Sequence, residues 1–355
     1  MRMWRCAAAL AMFGVGGTAL AETDYLRIAN WNVNNRPNGS ADFDDLVTGL
    51  NFAGTLDPAG IGARPFDLLA LAETDTNSIG PTVDALTSAY GGNYASVVSS
   101  FDNAGDRTGF VYDTDRLTLL DVTELSGGPF AHNLTRATFR PADTDGEVDF
   151  TAYAIHFKSD VNPAQTQQRL DEARAVAADA RSLGGDANVL YLGDFNWVGA
   201  DERGPGQDSA WWTLIRGGET FTEAAAFDPL GYHPRFRDNP DLLAAHSQNP
   251  SASMDDRFDA QLFSTELRDG DGLEYVTDSY CVVGNNGTHT LNGHITTGTA
   301  GDLAMLEALA SFSDHLPVFA DYAYPVTNQL TVPEPAVVGV LVLGGLFLRR
   351  PTLRA

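Results

Sequence analysis

Short apolar runs alternate with polar, Gly- and Pro-punctuated stretches along most of this chain, and the runs have strand length. Leu26-Arg27-Ile28-Ala29-Asn30-Trp31 reads as one strand and Phe66 to Leu71 as a second, buried one. Phe110-Val111-Tyr112, entered through Gly109, marks a third, and Asp149 to Phe157 and Val189 to Leu192 mark two more. Pro163 to Leu183 carries the other periodicity. It is Ala-rich, has Pro in its first turn where a missing N–H costs nothing, and stops at Gly184-Gly185, so it predicts a helix. Strands with only occasional helices between them favour a mixed sheet with helices layered on it over a doubly wound parallel sheet. Gly199 to Ser253, with repeated Gly, Pro and Asp, and Gly284 to Gly301, rich in Gly, Asn and Thr, read as long surface loops. From about residue 24 to 325 there is no internal repeat and no Pro- or Ser-rich linker, so this body reads as one domain.

The two ends carry different patterns. Arg2 and Arg5, the apolar stretch Ala7 to Leu20 and the small-x-small Ala19-Leu20-Ala21 predict a secretory signal peptide over residues 1–21, cut after Ala21. At the other end Val332-Pro333-Glu334-Pro335 precedes an apolar run from Ala336 to Leu348 and then Arg349-Arg350. That run is shorter than the roughly 20 residues a spanning helix needs. The order resembles the PEP-CTERM sorting signal of Gram-negative bacteria. That resemblance implies a tail over 332–355, transient attachment to the inner membrane, and removal by an exosortase-type processing enzyme. A plain C-terminal anchor is the alternative; either way the body would face outward, in the periplasm, at the cell surface or outside the cell.

Composition narrows the chemistry. Acidic residues outnumber basic ones 47 to 22, for a formal charge of -25, and Lys158 is the sole lysine. Such a chain has no basic footprint with which to hold nucleic acid by bulk electrostatics, so a polyanion would be gripped locally, by a bound metal and a few arginines. With Cys6 in the leader, Cys281 stands alone, which excludes an intramolecular disulfide and predicts a buried, inert thiol.

Polar residues recur where the apolar runs end. Asn32 follows the first run, Glu73 follows Leu68 to Ala72, and His156 closes Thr151 to Ile155. Asp194 and Asn196 follow Val189 to Gly193, Asp259 sits in Arg257-Phe258-Asp259, and Asp314-His315 precede Leu316-Pro317-Val318-Phe319. Strand ends are rigid, and side chains placed there can converge on one mouth. Glu73 is an oxygen ligand suited to Mg²⁺, Mn²⁺ or Ca²⁺, with Asn32 beside it as an oxygen donor or an outer supporting group. Asp194 and Asn196, two apart on an extended end, point the same way. His156 and His315 can donate to a phosphate or supply a proton. A hairpin pairing His289 with His294 could bind a metal too, but it lacks a clear third ligand.

Trp31-Asn32-Val33-Asn34, Ala72-Glu73-Thr74, Ile155-His156-Phe157-Lys158-Ser159, Gly193-Asp194-Phe195-Asn196 and Ser313-Asp314-His315-Leu316-Pro317-Val318 together resemble, in order, the signature of the endonuclease/exonuclease/phosphatase superfamily. The resemblance spans residues 26 to 324. It implies a deoxyribonuclease I-like α/β sandwich of two packed mixed β-sheets flanked by helices, and a divalent-metal-dependent hydrolysis of phosphate esters. It implies that Asp194 orients or deprotonates the attacking water, that Asn196 holds the phosphoryl oxygen, and that Asp259 orients His315. It also implies that Asp106 is the carboxylate partner of His156 and that Asp314 belongs to the metal side with Asn32 and Glu73. One departure stands out. Where many relatives carry Arg-x-Pro with a phosphate-clamping arginine, this chain has His132-Asn133-Leu134-Thr135-Arg136, which leaves His132, Arg136 and Lys158 as candidate phosphate contacts.

An extracellular nuclease or related phosphodiesterase is the leading expectation. A phosphatase or phospholipase C-type hydrolase of inositol phosphate or sphingomyelin-like substrates is the second, since one fold hosts many activities. A non-catalytic surface or matrix protein is the third, opposed by the intact acidic and histidine positions.

Overall fold

The computed structural model describes residues 22–100, 105–144, 148–197, 209–218, 220–222, 224–231 and 235–326. The expected leader (1–21) and sorting tail (332–355) lie outside them, as does most of the first third of the Gly199–Ser253 loop.

Among the described residues, two mixed sheets form the centre, with strands numbered along the chain. The first runs in spatial order β11 (Glu274–Tyr275), β13 (Val318–Val326), β1 (Glu22–Asn32), β2 (Leu68–Thr74), β4 (Arg107–Asp113) and β3 (Tyr94–Val98), with β12 (Cys281–Val282) also paired to β13. The second runs β5 (Leu117–Leu125), β6 (Leu134–Pro141), β7 (Phe150–His156), β8 (Asn188–Asp194), β10 (Asp259–Ser264) and β9 (Ala226–Phe227). Only β1 with β2 and β7 with β8 pair in parallel; the other neighbours are antiparallel. Helices α1 (Ser40–Thr55), α2 (Ile79–Tyr90) and α5 (Leu303–Phe312) cover the first sheet, and α3 (Pro163–Arg181) and α4 (Ala210–Arg216) cover the second. The mixed, layered sandwich expected from the sequence is the observed architecture.

Because side chains alternate along a strand, each central strand feeds two cores. In β1, Leu26 and Ile28 pack between the sheets, while Ala29 and Trp31 face the helices. In β7, Ala152 and Ala154 point between the sheets, and Tyr153 and Ile155 meet α3. In β8, Leu190 and Leu192 do the same, against Val189 and Tyr191 on the helix side. Helix α3 starts where the sequence placed it, with the Asn162 side chain accepting from the Ala164 and Gln165 amides. Cys281 is a free thiol, half-buried on the short β12 rather than fully enclosed as expected, and burial pushes it up to about 12, which disfavours the reactive thiolate.

The first sheet encloses one full charge pair. Arg27 and Asp321 are both completely buried on the neighbouring strands β1 and β13, joined at 2.8 and 3.0 Å, with the guanidinium over the Phe319 ring. The same guanidinium donates to the carbonyls of Ala53, Leu56 and Arg64, which fixes the end of α1 on the sheet. Arg27→Met would leave Asp321 buried without its cation and should lower the unfolding free energy by about 3–5 kcal/mol. The double variant with Asp321→Leu should recover part of that loss. Urea unfolding measures both, and a single variant as stable as the parent would show that the pair does not carry this cost.

Candidate active site

The inward stripes of the central strands all end in polar side chains at one rim. Continuing each two-residue period gives Asn32 after Leu26, Ile28 and the buried Asn30, His156 after Ala152 and Ala154, and Asp194 after Leu190 and Leu192. The parallel register sets His156 directly opposite Asp194, and the antiparallel register sets Asp259 opposite Asp194 from the other side. β8 lies against β7 so closely at this end that a Cβ on Gly193 would stand 2.2 Å from the Ile155 carbonyl oxygen. Gly193 also has φ +142°, which explains the glycine before Asp194.

Glu73 arrives by a different device. The β2–β4 register shifts between Leu71 and Thr74, and Glu73 itself adopts φ +48°, so an irregularity turns its carboxylate into the mouth. A non-glycine residue in that region is strained, and Asn196 shares the condition at φ +50°. The Ser313-Asp314-His315 turn is tied to β1: the Ser313 hydroxyl donates to the Asn32 carbonyl at 2.8 Å and accepts from the His315 amide at 3.1 Å. The Trp31 indole donates to the His315 carbonyl at 2.8 Å.

The result is one connected cluster. The Asn32 amide donates to Glu73 at 2.9 Å and to Asp194 at 3.1 Å. His156 Nε2 stands 3.5 Å from Glu73 and 4.0 Å from Asp194; His315 Nε2 stands 3.7 Å from Asp194. His315 Nδ1 meets Asp259 at 2.7 Å, as the sequence implied. Gln248, which the sequence reading passed over, lies 3.4 Å from His315 Nε2. Asp194 Oδ1 accepts the Asn196 amide at 2.9 Å, and the Asn196 side chain donates to the Phe157 carbonyl at 3.0 Å, closing the turn around the end of β7.

Charge in this rim is unbalanced toward acid. Burial raises Asp194, and the Asp259 and Glu73 charges add to it against the pull of His315 and Asn32. Glu73 is raised as well, by burial first, against the Asn32 hydrogen bond. The two imidazoles separate. Burial draws His315 down, but Asp259 and Asp194 outweigh it and push it up to about 10. Burial holds His156 well below the usual histidine value, and the neighbouring His132, His315 and Lys158 deepen the effect. Glu73, His156 and Asp194 each offer a ligand atom within 4.8 Å of the others. A buried carboxylate and a half-buried one pointed at one spot are relieved by a cation there, and hard oxygen donors suit a divalent one.

Several expected roles change. The Asn32 side-chain oxygen accepts the Asn34 backbone amide at 3.1 Å, so the side chain turns its N–H groups toward Glu73 and Asp194. Asp314 is half-buried beside Glu73 and His315, raising the one and favouring the charged form of the other, without a place in the metal-competent clusters. Asp106 reaches the site but does not bond His156; it accepts from Asn35 at 2.8 Å and lies 3.9 Å from His132 Nδ1. Arg136 is no phosphate contact. It pairs with Asp179 of α3 at 2.8 Å, on the face of β6 turned away from the rim. Lys158 stands near His156 with its ammonium 3.3 Å from Ser159 Oγ. His132, where an arginine was expected, lies flat on His156, ring centroids 3.9 Å apart and planes at 12°. His289 and His294 form no shared site: His289 is held by Asn285 and the Met254 carbonyl, His294 by Thr296.

No family model matches this sequence, and no curated protein matches it. Solved structures do match its fold. An endonuclease/exonuclease/phosphatase from Bacteroides vulgatus aligns over 84% of this chain and 98% of its own at 16% identity and a TM-score of 0.55. TDP2 of D. rerio, complexed with single strand DNA product, aligns over 84% and 98% at 19% identity and 0.51. The catalytic domain of human Nocturnin with bound sulfate aligns over 85% and 97% at 14% identity and 0.50. At such identities it is the architecture that is shared: this chain is built on the deoxyribonuclease I-like sandwich of the endonuclease/exonuclease/phosphatase proteins.

Proposed function

We propose that this chain is an exported, divalent-metal-dependent phosphoesterase that hydrolyses phosphodiester bonds, and that it acts as an extracellular nuclease. The observation carrying the proposal is the meeting of Glu73, His156, Asp194 and His315, from four separate segments, within 3.5–4.0 Å across one rim. The sulfate in Nocturnin and the DNA product in TDP2 support a phosphate-bearing, nucleic-acid substrate for this fold.

A cation between Glu73 and Asp194, Mg²⁺ by the hardness of the donors, would supply charge neutralisation at a phosphoryl oxygen. The chain's own groups do the rest. Asp194, raised toward neutrality and fixed by Asn32 and the Asn196 amide, is the base that orients and accepts a proton from the attacking water. His315, held as the imidazolium by Asp259, donates to the phosphate and stabilises charge as it develops. His156, kept neutral by burial, contributes one N–H without adding a second cation.

Phosphatase or phospholipase C-type action on inositol phosphate or sphingomyelin-like substrates remains the second reading, separable only by substrate. Plasmid DNA, RNA, bis(p-nitrophenyl) phosphate, inositol phosphates and sphingomyelin should be tested with Mg²⁺, Mn²⁺ or Ca²⁺ and with chelator. Diester cleavage should appear with metal and vanish with chelator; full activity in chelator would overturn the metal role. Asp194→Asn and His315→Ala should each lower kcat about 10²–10⁴-fold in protein that still folds, His315→Ala with a lower melting temperature because it leaves the buried Asp259 without its partner. Unchanged rates would remove the assigned roles.

Export is part of the proposal. A chain cut after Ala21 would keep every described residue of β1, Glu22–Asn32. N-terminal sequencing of protein recovered outside the cytoplasm of a Gram-negative host should start at Glu22. Intact mass from a host with an exosortase should show loss of the 332–355 tail. Retention of Met1 in that fraction would refute the leader, and an intact tail the sorting signal.

A further inference from the structure

We propose that Glu172, a carboxylate wholly buried on α3, is a positioning residue for the phosphoester site, holding the His132 ring flat against His156 so that His156 points correctly. The proposal rests on the phosphoesterase reading above, and its test separates the two.

His156 needs such a device. Its Nδ1 is buried and finds no hydrogen-bond partner among the described residues, and its Nε2 stands 3.5 Å from Glu73 and 4.0 Å from Asp194, too long to fix a ring. A histidine that serves a reaction through one nitrogen is ordinarily oriented through the other. Here no bond in the ring plane does that, so the orientation falls to the ring face, and the face is covered by His132 at 3.9 Å and 12°. Asp106, His132 and His156 lie within reach of a common ion, but parallel rings send their lone pairs side by side instead of toward a shared centre, which disfavours a metal there.

His132 belongs to the turn between β5 and β6 rather than to a strand, so its position depends on what the turn is tied to. Glu172 supplies the hold from beneath. One carboxylate oxygen accepts the Ala131 amide at 2.8 Å, next to His132, and the other accepts the Lys158 amide at 2.8 Å, two residues past His156. Two backbone segments that carry the stacked rings are thus joined through one side chain. Arg169, one helical turn earlier and equally buried, adds bonds to the Lys158 and Asp160 carbonyls at 2.6 and 2.7 Å. Such charge-assisted bonds are short and directional, so the hold is stiff.

Glu172→Gln replaces one acceptor with an N–H aimed at a backbone N–H, which should release one segment. His132→Ala removes the face contact; His132→Phe keeps it without the nitrogens. On bis(p-nitrophenyl) phosphate with Mg²⁺ or Mn²⁺, Glu172→Gln and His132→Ala should each lower kcat about 10–100-fold with KM little changed. His132→Phe should regain most of the loss. The double variant Glu172→Gln/His132→Ala should be no slower than His132→Ala alone, since both act through one contact. In the metal-free protein, the His156 ring resonances, assigned with His156→Gln, should shift and broaden alike in Glu172→Gln and His132→Ala. Additive rate losses, a His132→Phe as slow as His132→Ala, or unmoved His156 signals would each overturn the proposal. Should Glu172→Gln fail to fold, the alanine and phenylalanine pair still decides whether the ring face matters. Absence of diester cleavage in the parent protein would sink the phosphoesterase reading instead, leaving the ring resonances to judge the positioning.

Discussion

Strands buried on both faces set the terms for this molecule. A strand in the middle of a sandwich favours apolar side chains between the sheets until its last inward position, where the partner sheet ends and water can enter, and a polar one before that point must be hydrogen-bonded or carry a cost. Polar residues within the layer are few, Asn30 and Gln261 among them, and Gln261 is there bonded to the Ile28 and Val318 carbonyls; the stripes end in polar residues at the rim, and with parallel pairs β1–β2 and β7–β8 several rims coincide. Asn32, His156 and Asp194 are each the terminal members of such stripes, and Asp259 joins them because β10 runs back along β8. The site is thus a by-product of layer geometry, and the stiffness of its side chains is that of the sheet beneath them.

Concentrating carboxylates at such a place is costly. Asp194 is 1% exposed and Asp259 fully buried, and only His315 bonds Asp259 through a side-chain donor. Part of the cost is met by donors: Asp194 is divided between Asn32 and the Asn196 amide, Glu73 accepts from Asn32, and one Asp259 oxygen meets His315 while its other is buried without a partner among the described residues. Positive φ at Glu73 and Asn196 marks where backbone ease has been given up to aim these groups. Strain and like-charge crowding in one small region are features a cation would relieve and a purely structural rim would not need.

The sequence made the strand ends legible because their information is local: a run of apolar residues, then a polar one, at a period that fixes the face. The same rule, carried one residue further, explains the failure at Arg136. Ala137 and Phe139 face the other sheet, so Arg136 must face α3, where Asp179 takes it. The helices on the first sheet were not anticipated. α1 contains Gly49 and Gly54, which weaken a helical pattern, yet a Cβ at either would press on Leu309 or Tyr90 at 2.8–2.9 Å, so small residues are what let α5 and α2 approach. His132 was the least legible, since its place depends on Glu172, forty residues away and on another layer.

How such an acidic protein would hold a polyanion follows from where its arginines go. Arg27 is paired with Asp321, Arg116 with Asp24 and Asp67, Arg136 with Asp179, Arg140 with Asp149 and Arg257 with Asp228, all within 3.0 Å. These guanidiniums cross-link strands and layers, and their carboxylate partners absorb the field that would otherwise reach a phosphate. Under the proposed function, recognition would fall to short-range groups at the rim, the His315 imidazolium and a divalent cation near the carboxylates, whose pull would be strong at contact and screened within about 8–10 Å. A substrate on such a surface is selected by what fits the mouth, and the long-range attraction that a basic cleft would add is missing.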